Sequence, residues 1–165
     1  MESILRWVEL WDKWFVGFWI EAVEKEFEID LGTSLGYVGR LDAMAKSPRH
    51  ETWVIEWKTG QPKQLDETQV QTYALAVQQM EPRVQTVVAA VADILNVQIR
   101  RRTMGPGALK AARTMLRRRA LFIERVLHEE ESPIARPGLL CGGCPLLDMC
   151  EPGREWVRSS PSEVS

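Results

Sequence analysis

Apolar and polar positions recur along this chain in two rhythms, and the change from one to the other marks out its elements. At the start, Ile4, Leu5, Val8, Trp11, Phe15, Phe18, Trp19 and Ala22 return at three- and four-residue intervals. That spacing predicts a helix over residues 3–23, with Ser3 as its N-cap. Trp7 and Trp14 make this helix apolar nearly all round, so it is covered on both sides or keeps one part for a partner. Core packing explains the spacing without a ligand; a platform on which bases stack is the alternative. From Glu24 to Asp30 the period drops to two, as in a strand, and Leu31–Gly36 turns the chain back. Residues 35–44 and 52–58 are rich in aromatic and β-branched side chains and read as two more strands. The polar, proline-bearing link Lys46–Glu51 joins them as an antiparallel hairpin.

Further on, residues 64–81 read as a helix whose apolar side is Leu65, Val70, Tyr73, Ala74, Val77 and Met80. The near-continuous apolar run 84–91 predicts a central, buried strand. Residues 97–102 alternate less cleanly and suit an outer strand. Gly105-Pro106-Gly107 interrupts the chain before a long helix over 108–130. The pattern predicts an α/β (α+β) core over residues 1–131, with a mixed central sheet flanked by helices. A Pro- and Gly-rich, cysteine-bearing tail over 132–165 is expected to pack on it.

A length of 165 residues suits one domain with a real core. The composition, 45% hydrophobic and 27% charged, is that of a globular protein. No apolar run approaches the roughly 20 residues that span a bilayer, and residues 1–7 lack the basic start and small-residue cleavage site of a signal peptide. A cytosolic protein with no membrane partner is expected. The net charge of -2 gives no bulk basic footprint for nucleic acid. Positive density is local: Arg100, Arg101 and Arg102 on the outer strand, with Arg113, Arg117, Arg118 and Arg119 on the last helix. Those guanidinium forks suit phosphate oxygens, although a charged edge strand also discourages aggregation.

The hairpin carries the chemistry. Glu56 and Lys58 are two apart on a strand and share one face, while Trp53, Ile55 and Trp57 take the other. The facing strand can bring Asp42 to them. Two carboxylates beside an ammonium suit a divalent cation such as Mg²⁺ at a phosphate. The lysine can orient a water or stabilise charge developing at phosphorus. The alternative is a hairpin with an ion pair on its wet face. At the other end, Cys141, Cys144 and Cys150 have the spacing C-x2-C-x5-C, which suits a soft metal or a cluster better than disulfides.

Gly39-Arg40-Leu41-Asp42, then Val54-Ile55-Glu56-Trp57-Lys58-Thr59-Gly60, then Gln69-Val70-Gln71-Thr72-Tyr73 resemble, in this order, the motifs of the PD-(D/E)XK nuclease superfamily. The likeness is to its RecB-like branch, which includes CRISPR-adaptation nucleases, and it runs over about residues 20–155. It implies a restriction-endonuclease-like fold and a metal-dependent deoxyribonuclease, an exonuclease on single-stranded DNA ends. Repair, recombination, and phage or CRISPR DNA processing are the implied settings, with a helicase, recombination or CRISPR protein as partner. By that resemblance Asp42, Glu56 and the backbone carbonyl of Trp57 hold Mg²⁺ or Mn²⁺, Glu24 assists as a further ligand, and Lys58 acts on the attacking water or the phosphate. Gln69 and Tyr73, four apart on one helical face, look toward that site; an ordinary amphipathic helix with Tyr73 in the core is the other reading.

In the resembled branch the three cysteines join a fourth, from near the N-terminus, on a [4Fe–4S] cluster. Here no cysteine precedes Cys141, and the early histidine of many relatives is absent, His50 and His128 being the only two. A truncated front, a fourth ligand from His128, Asp148 or outside the chain, zinc in place of iron, and free thiols all stay open. So do two further readings of the whole: a non-catalytic, decayed nuclease fold that binds DNA or a helicase, and a zinc-stapled structural protein.

Overall fold

The computed structural model describes residues 2–59 and 67–159. The expected strand end at Gly60-Gln61-Pro62, the expected helix start at Gln64 with Leu65, and the last six residues of the tail lie outside the described residues. Two compact units are present, residues 1–124 and 125–165.

The first unit is a five-stranded mixed sheet in sequence order, β1 (Trp19–Ile29), β2 (Tyr37–Lys46), β3 (Thr52–Lys58), β4 (Val87–Asp93) and β5 (Gln98–Met104). All neighbours are antiparallel except β3 and β4, which run parallel through the crossover helix α2 (Glu67–Met80). The expected architecture is therefore present. β4 is buried along its whole length, as its unbroken apolar run requires, and β5 is one of the two edges, β1 being the other. The Arg101 guanidinium of β5 lies 5.3 Å from the centre of the Trp53 ring on β3, a cation–π contact that reaches inward past β4.

One face of the sheet is covered by the helix α1 (Glu2–Trp14), through Leu10 and the following Phe15, which pack with Ala43, Ala45, Trp53 and Ile55. The other face meets α2 and α3 (Pro106–Leu127), with Met44, Val54, Tyr73, Val77, Leu109 and Leu116 in one cluster. Tryptophans 7, 11 and 57 crowd together with Phe15 under α1, so the expected core packing of that helix holds for Trp11. Ile4, Leu5 and Val8 stay exposed.

The first helix is shorter than its spacing predicts. It ends at Trp14, Ser3 lies already inside its first turn, and Trp19 to Ala22 belong to β1. Gly17 explains the break. Its φ of +77° is a left-handed conformation that reverses the chain. A side chain there would also press on Pro48, because a Cβ built on Gly17 lies 3.1 Å from Pro48 Cγ. Beyond Gly17 the aromatic and β-branched residues pair with β2, Trp19 opposite Lys46 and Ile20 opposite Ala45.

The β2–β3 hairpin closes through a compact turn. Ser47 N–H donates to the Glu51 carbonyl at 3.0 Å, His50 N–H to the Ser47 carbonyl at 2.8 Å, and His50 supplies the left-handed residue with φ of 61°. The hairpin then runs Lys46↔Thr52, Ala45↔Trp53, Met44↔Val54 and Ala43↔Ile55, where the pairing stops. At that point the alternation of β2 slips by one. Ala43 and Ala45 face α1, Met44 faces α2, yet Leu41 also joins the α2 cluster. Asp42 sits on the slip. On β1 the residue between Val23↔Ala43 and Lys25↔Leu41 is Glu24, with φ of 48°. Irregularities of this kind re-aim side chains next to active sites.

The second unit holds two 3₁₀ turns, Leu139–Gly143 and Leu147–Met149, and the helix α4 (Glu151–Ser159). Among the described residues no helix is long and apolar enough to cross a membrane.

If Gly17 sets the end of α1, Gly17→Ala should cost about 1–2 kcal/mol, the usual penalty for a left-handed alanine, with more if Pro48 cannot move. Urea denaturation of the two proteins measures it; equal midpoints would place the chain reversal elsewhere.

Candidate active site

Glu56 is the penultimate-but-one residue of β3, on the α2 side, and its neighbours are fixed by the sheet. It lies beside Val91 of β4, and on its other side the last β2–β3 pair, Ala43↔Ile55, leaves Asp42 as the next residue of β2. Beyond Ala43↔Ile55 the backbone ladder gives way to a side chain: Asp42 Oδ2 accepts the Trp57 N–H at 2.9 Å. A buried amide would otherwise be left without a partner where the two strands part. The same bond pins the Asp42 carboxylate to the end of β3.

Lys58 Nζ lies 2.5 Å from Glu56 Oε1, an ion pair whose acid is buried and whose ammonium is two-fifths exposed. Gln69, from the first turns of α2, closes the group. Its Nε2 donates to Glu56 Oε1 at 2.8 Å and to the Tyr73 hydroxyl at 2.9 Å, and its Oε1 accepts from Lys58 at 3.4 Å. The four-residue interval puts Gln69 and Tyr73 on one helical face, turned toward the acids. Asp42, Glu56, Lys58, Gln69 and Tyr73 are thus gathered at one end of β2, β3 and α2. Tyr73 also packs in the core, with its ring edge-on to Phe27 at 5.8 Å; the two readings of this residue are compatible.

One atom of the group is left over. Glu56 Oε2 is buried with no hydrogen-bond partner. A buried, unmatched carboxylate oxygen is costly unless a cation meets it. The donor set fits a hard divalent ion: two carboxylates on adjacent strands, next to the backbone of Trp57. No three His, Cys, Asp and Glu side chains converge as ion ligands among the described residues. Glu24 accordingly stands apart. It is exposed, and its Oε2 pairs with Arg40 Nε at 2.9 Å, although its backbone lies across from Asp42.

Nor are the three cysteines gathered. All are free thiols. Cys141 Sγ accepts from the Gly138 N–H at 3.3 Å, while Cys150 Sγ packs against Gly153 at the start of α4, 3.2 Å from where a Cβ would stand. The residues as placed do not fit the expected iron–sulfur cluster or zinc site: among the described residues no three His, Cys, Asp and Glu side chains come together as ligands.

Tyr37, Arg40 and Thr68 escaped the reading of the sequence, although they line a cavity that Gln69 and Tyr73 also line. Arg40 lies within the Gly39–Asp42 motif, so its place there was the available signal.

The chain belongs to the PD-(D/E)XK nuclease superfamily, whose sequence profile matches residues 1–151. No curated protein matches it. Among solved structures, a "Putative exonuclease" from Eubacterium rectale is similar over 99% of this chain and 61% of its own, at 16% identity and a TM-score of 0.52. A second, SSO0001, is 19% identical over 92% of this chain and 68% of its own, with a TM-score of 0.46. The chain therefore spans about three-fifths of the length of the Eubacterium rectale protein.

The site also shapes an ionisation. Burial, with the Glu56 and Asp42 carboxylates adding to it and the Gln69 amide opposing it, pushes the Tyr73 hydroxyl up to about 12 from its usual 10. A raised pKa means that the folded state favours the neutral phenol. Its contribution to stability is complete below pH 10 and is lost as the pH rises from 10 toward 12. Denaturation at pH 9 and pH 11 should show wild type losing more stability over that interval than Tyr73→Phe. An equal loss in both would mean that Tyr73 ionises in the folded chain as freely as in the unfolded one.

Proposed function

We propose that the chain is a metal-dependent nuclease that hydrolyses phosphodiester bonds in DNA, working as an exonuclease on single-stranded ends. One observation carries the reading: the buried Glu56 Oε2 without a hydrogen-bond partner, on a strand end where Lys58 pairs with Oε1 and Asp42 accepts the Trp57 amide, in a PD-(D/E)XK nuclease chain. The Eubacterium rectale neighbour's name supports the exonuclease part of it.

In this proposal Asp42, Glu56 and the Trp57 carbonyl would hold Mg²⁺ or Mn²⁺, which would supply an activated water and offset charge on the phosphate. Lys58 does the positional work. Its ammonium is held by Glu56 and Gln69 at the exposed side of the acids, where it can orient the attacking water and then stabilise the negative charge that builds on the phosphate oxygens. Gln69 keeps Glu56 and Lys58 in register and carries the hydrogen-bond chain on to Tyr73. Tyr73 remains a neutral phenol at working pH and closes the inner wall of the site. Glu24, now paired with Arg40, would be the third acid at the site. DNA is the substrate, and the core over residues 1–131 carries the chemistry.

Digestion of labelled single-stranded and duplex DNA with Mg²⁺ tests this directly. Asp42→Ala and Lys58→Ala should each lower the rate by at least about a hundredfold, the scale on which charge-stabilising groups act. Undiminished cleavage in both would sink the site. Binding of DNA with no metal-dependent cleavage in the wild type would instead favour a fold that grips but does not cut.

A second readout needs no turnover. Mn²⁺ or Ca²⁺ should raise the melting temperature of the wild type and leave Glu56→Gln and Asp42→Asn unmoved, because an ion that binds only the folded site stabilises it by mass action. Equal shifts in all three would place the ion elsewhere.

A further inference from the structure

Next to these residues, and sharing Gln69 and Tyr73 with them, is an open cavity of about 470 Å³ whose other walls include Phe27, Tyr37, Gly39 and Arg119. Its floor is aromatic and built with some care. The Tyr37 and Phe27 rings are stacked, 6.3 Å apart and within 5° of parallel, and Phe27 stands edge-on to Tyr73. Phe27 can lie there only because β2 has no side chain at residue 39. A Cβ on Gly39 would come within 2.7 Å of the ring's Cζ, closer than real Cβ contacts. Phe27 is buried, whereas Tyr37 keeps 38% of its surface exposed at the cavity.

Charge is available at the same place. Arg119 of α3 is exposed and makes no ion pair or hydrogen bond among the described residues. Arg40, on the same wall, is only lightly held, by a single exposed contact with Glu24. A flat aromatic surface backed by a second ring, with a free guanidinium beside it, matches a nucleotide: the base stacks and the phosphate takes the fork. An apolar ligand would leave Arg119 unused, and a bare anion would leave Tyr37 unused.

We propose that this cavity is a nucleotide subsite that grips the strand being cut, stacking an unpaired base on Tyr37 and holding its phosphate on Arg119. The proposal rests on the nuclease reading above. Tyr37 is five residues from Asp42 along β2, roughly 17 Å of strand, so the stacked base belongs to a neighbour of the nucleotide being cut. A base inside a duplex has no free face for Tyr37. The subsite therefore selects single strands, with sequence mattering little, because every base has a face to offer.

The test reads binding apart from cleavage. Fluorescence anisotropy with a labelled oligothymidylate and with a hairpin duplex is measured in EDTA, on wild type, Tyr37→Leu, Tyr37→Phe and Arg119→Gln. Tyr37→Leu and Arg119→Gln should each weaken single-strand binding by on the order of tenfold, Tyr37→Phe should restore it, and duplex binding should change little. Photocrosslinking of a 5-bromouracil oligonucleotide to the wild type should label the peptide around Tyr37, a readout that needs no variant to fold. Single-strand affinity unchanged in both variants, no single-strand binding by the wild type, or crosslinks confined to other peptides would overturn the subsite. A chain that grips through Tyr37 and Arg119 but cleaves nothing with Mg²⁺ upholds the subsite and overturns the nuclease reading, so the two stand or fall separately.

Discussion

The end of β3 is organised around a carboxylate in an unfavourable place. Glu56 is buried, and a buried carboxylate without compensation costs several kcal/mol. Lys58 and the Gln69 amide offset that cost, but both act on Oε1, and Oε2 has no hydrogen-bond partner. A residue chosen for stability would be matched on both oxygens or replaced by an apolar one, as its neighbours Val54 and Ile55 are. The mismatch is local, and the elements around it are rigid: β4 is buried along its length, α2 packs on it, and α1 seals the far face. A strained polar group can persist only when its surroundings determine its position.

That frame depends on how β2 and β3 separate. While they pair, their side chains are assigned to faces by the two-residue period. Once pairing stops at Ala43↔Ile55, the Trp57 amide needs an acceptor, and Asp42 supplies it. The acid is thereby drawn to the strand that carries Glu56. The same slip lets Leu41 join the core on the α2 side and brings Gly39, with Phe27 lying on it, onto the wall beside Tyr73. One irregularity in β2 thus sets both the acid pair and the aromatic floor next to it.

Much of this was legible in the sequence because the relevant residues obey short-range rules. The strands β2, β3 and β4 carry their period and their β-branched content openly, and Glu56, Lys58, Gln69 and Tyr73 are placed by intervals of two and four. Asp42 was legible only through its motif, since a slip of strand alternation leaves no periodic trace. The start of the chain misled for the opposite reason. Aromatic residues at helical spacing continue past Gly17 into β1, where Trp19 and Ile20 satisfy a strand equally well, and a single left-handed glycine outweighs that pattern. The cysteine spacing suits a shared ligand point, yet spacing fixes only which turns the thiols occupy and not whether they converge, and among the described residues no three such ligands come together.

The arginines show how far local charge departs from bulk charge. With a net charge of -2 the chain has no general attraction for a polyanion. Long-range steering is weak under those conditions, so in the proposed function strand capture would come from contact: rings, forked guanidinium groups and hydrogen bonds that act within a few ångströms. Arg40 marks where the two kinds of contact meet. It is paired with Glu24, whose backbone is opposite Asp42, and it also lines the cavity of Tyr37 and Arg119. A phosphate arriving at Arg40 competes with the Glu24 carboxylate for one guanidinium. Displacing Glu24 would free an acid near Asp42, so in the proposed mechanism filling the cavity and completing a metal's ligand set would favour each other. Two sites joined through one shared ion pair would be coupled reciprocally, the strand strengthening the ion's hold by the same factor that the ion strengthens the strand's.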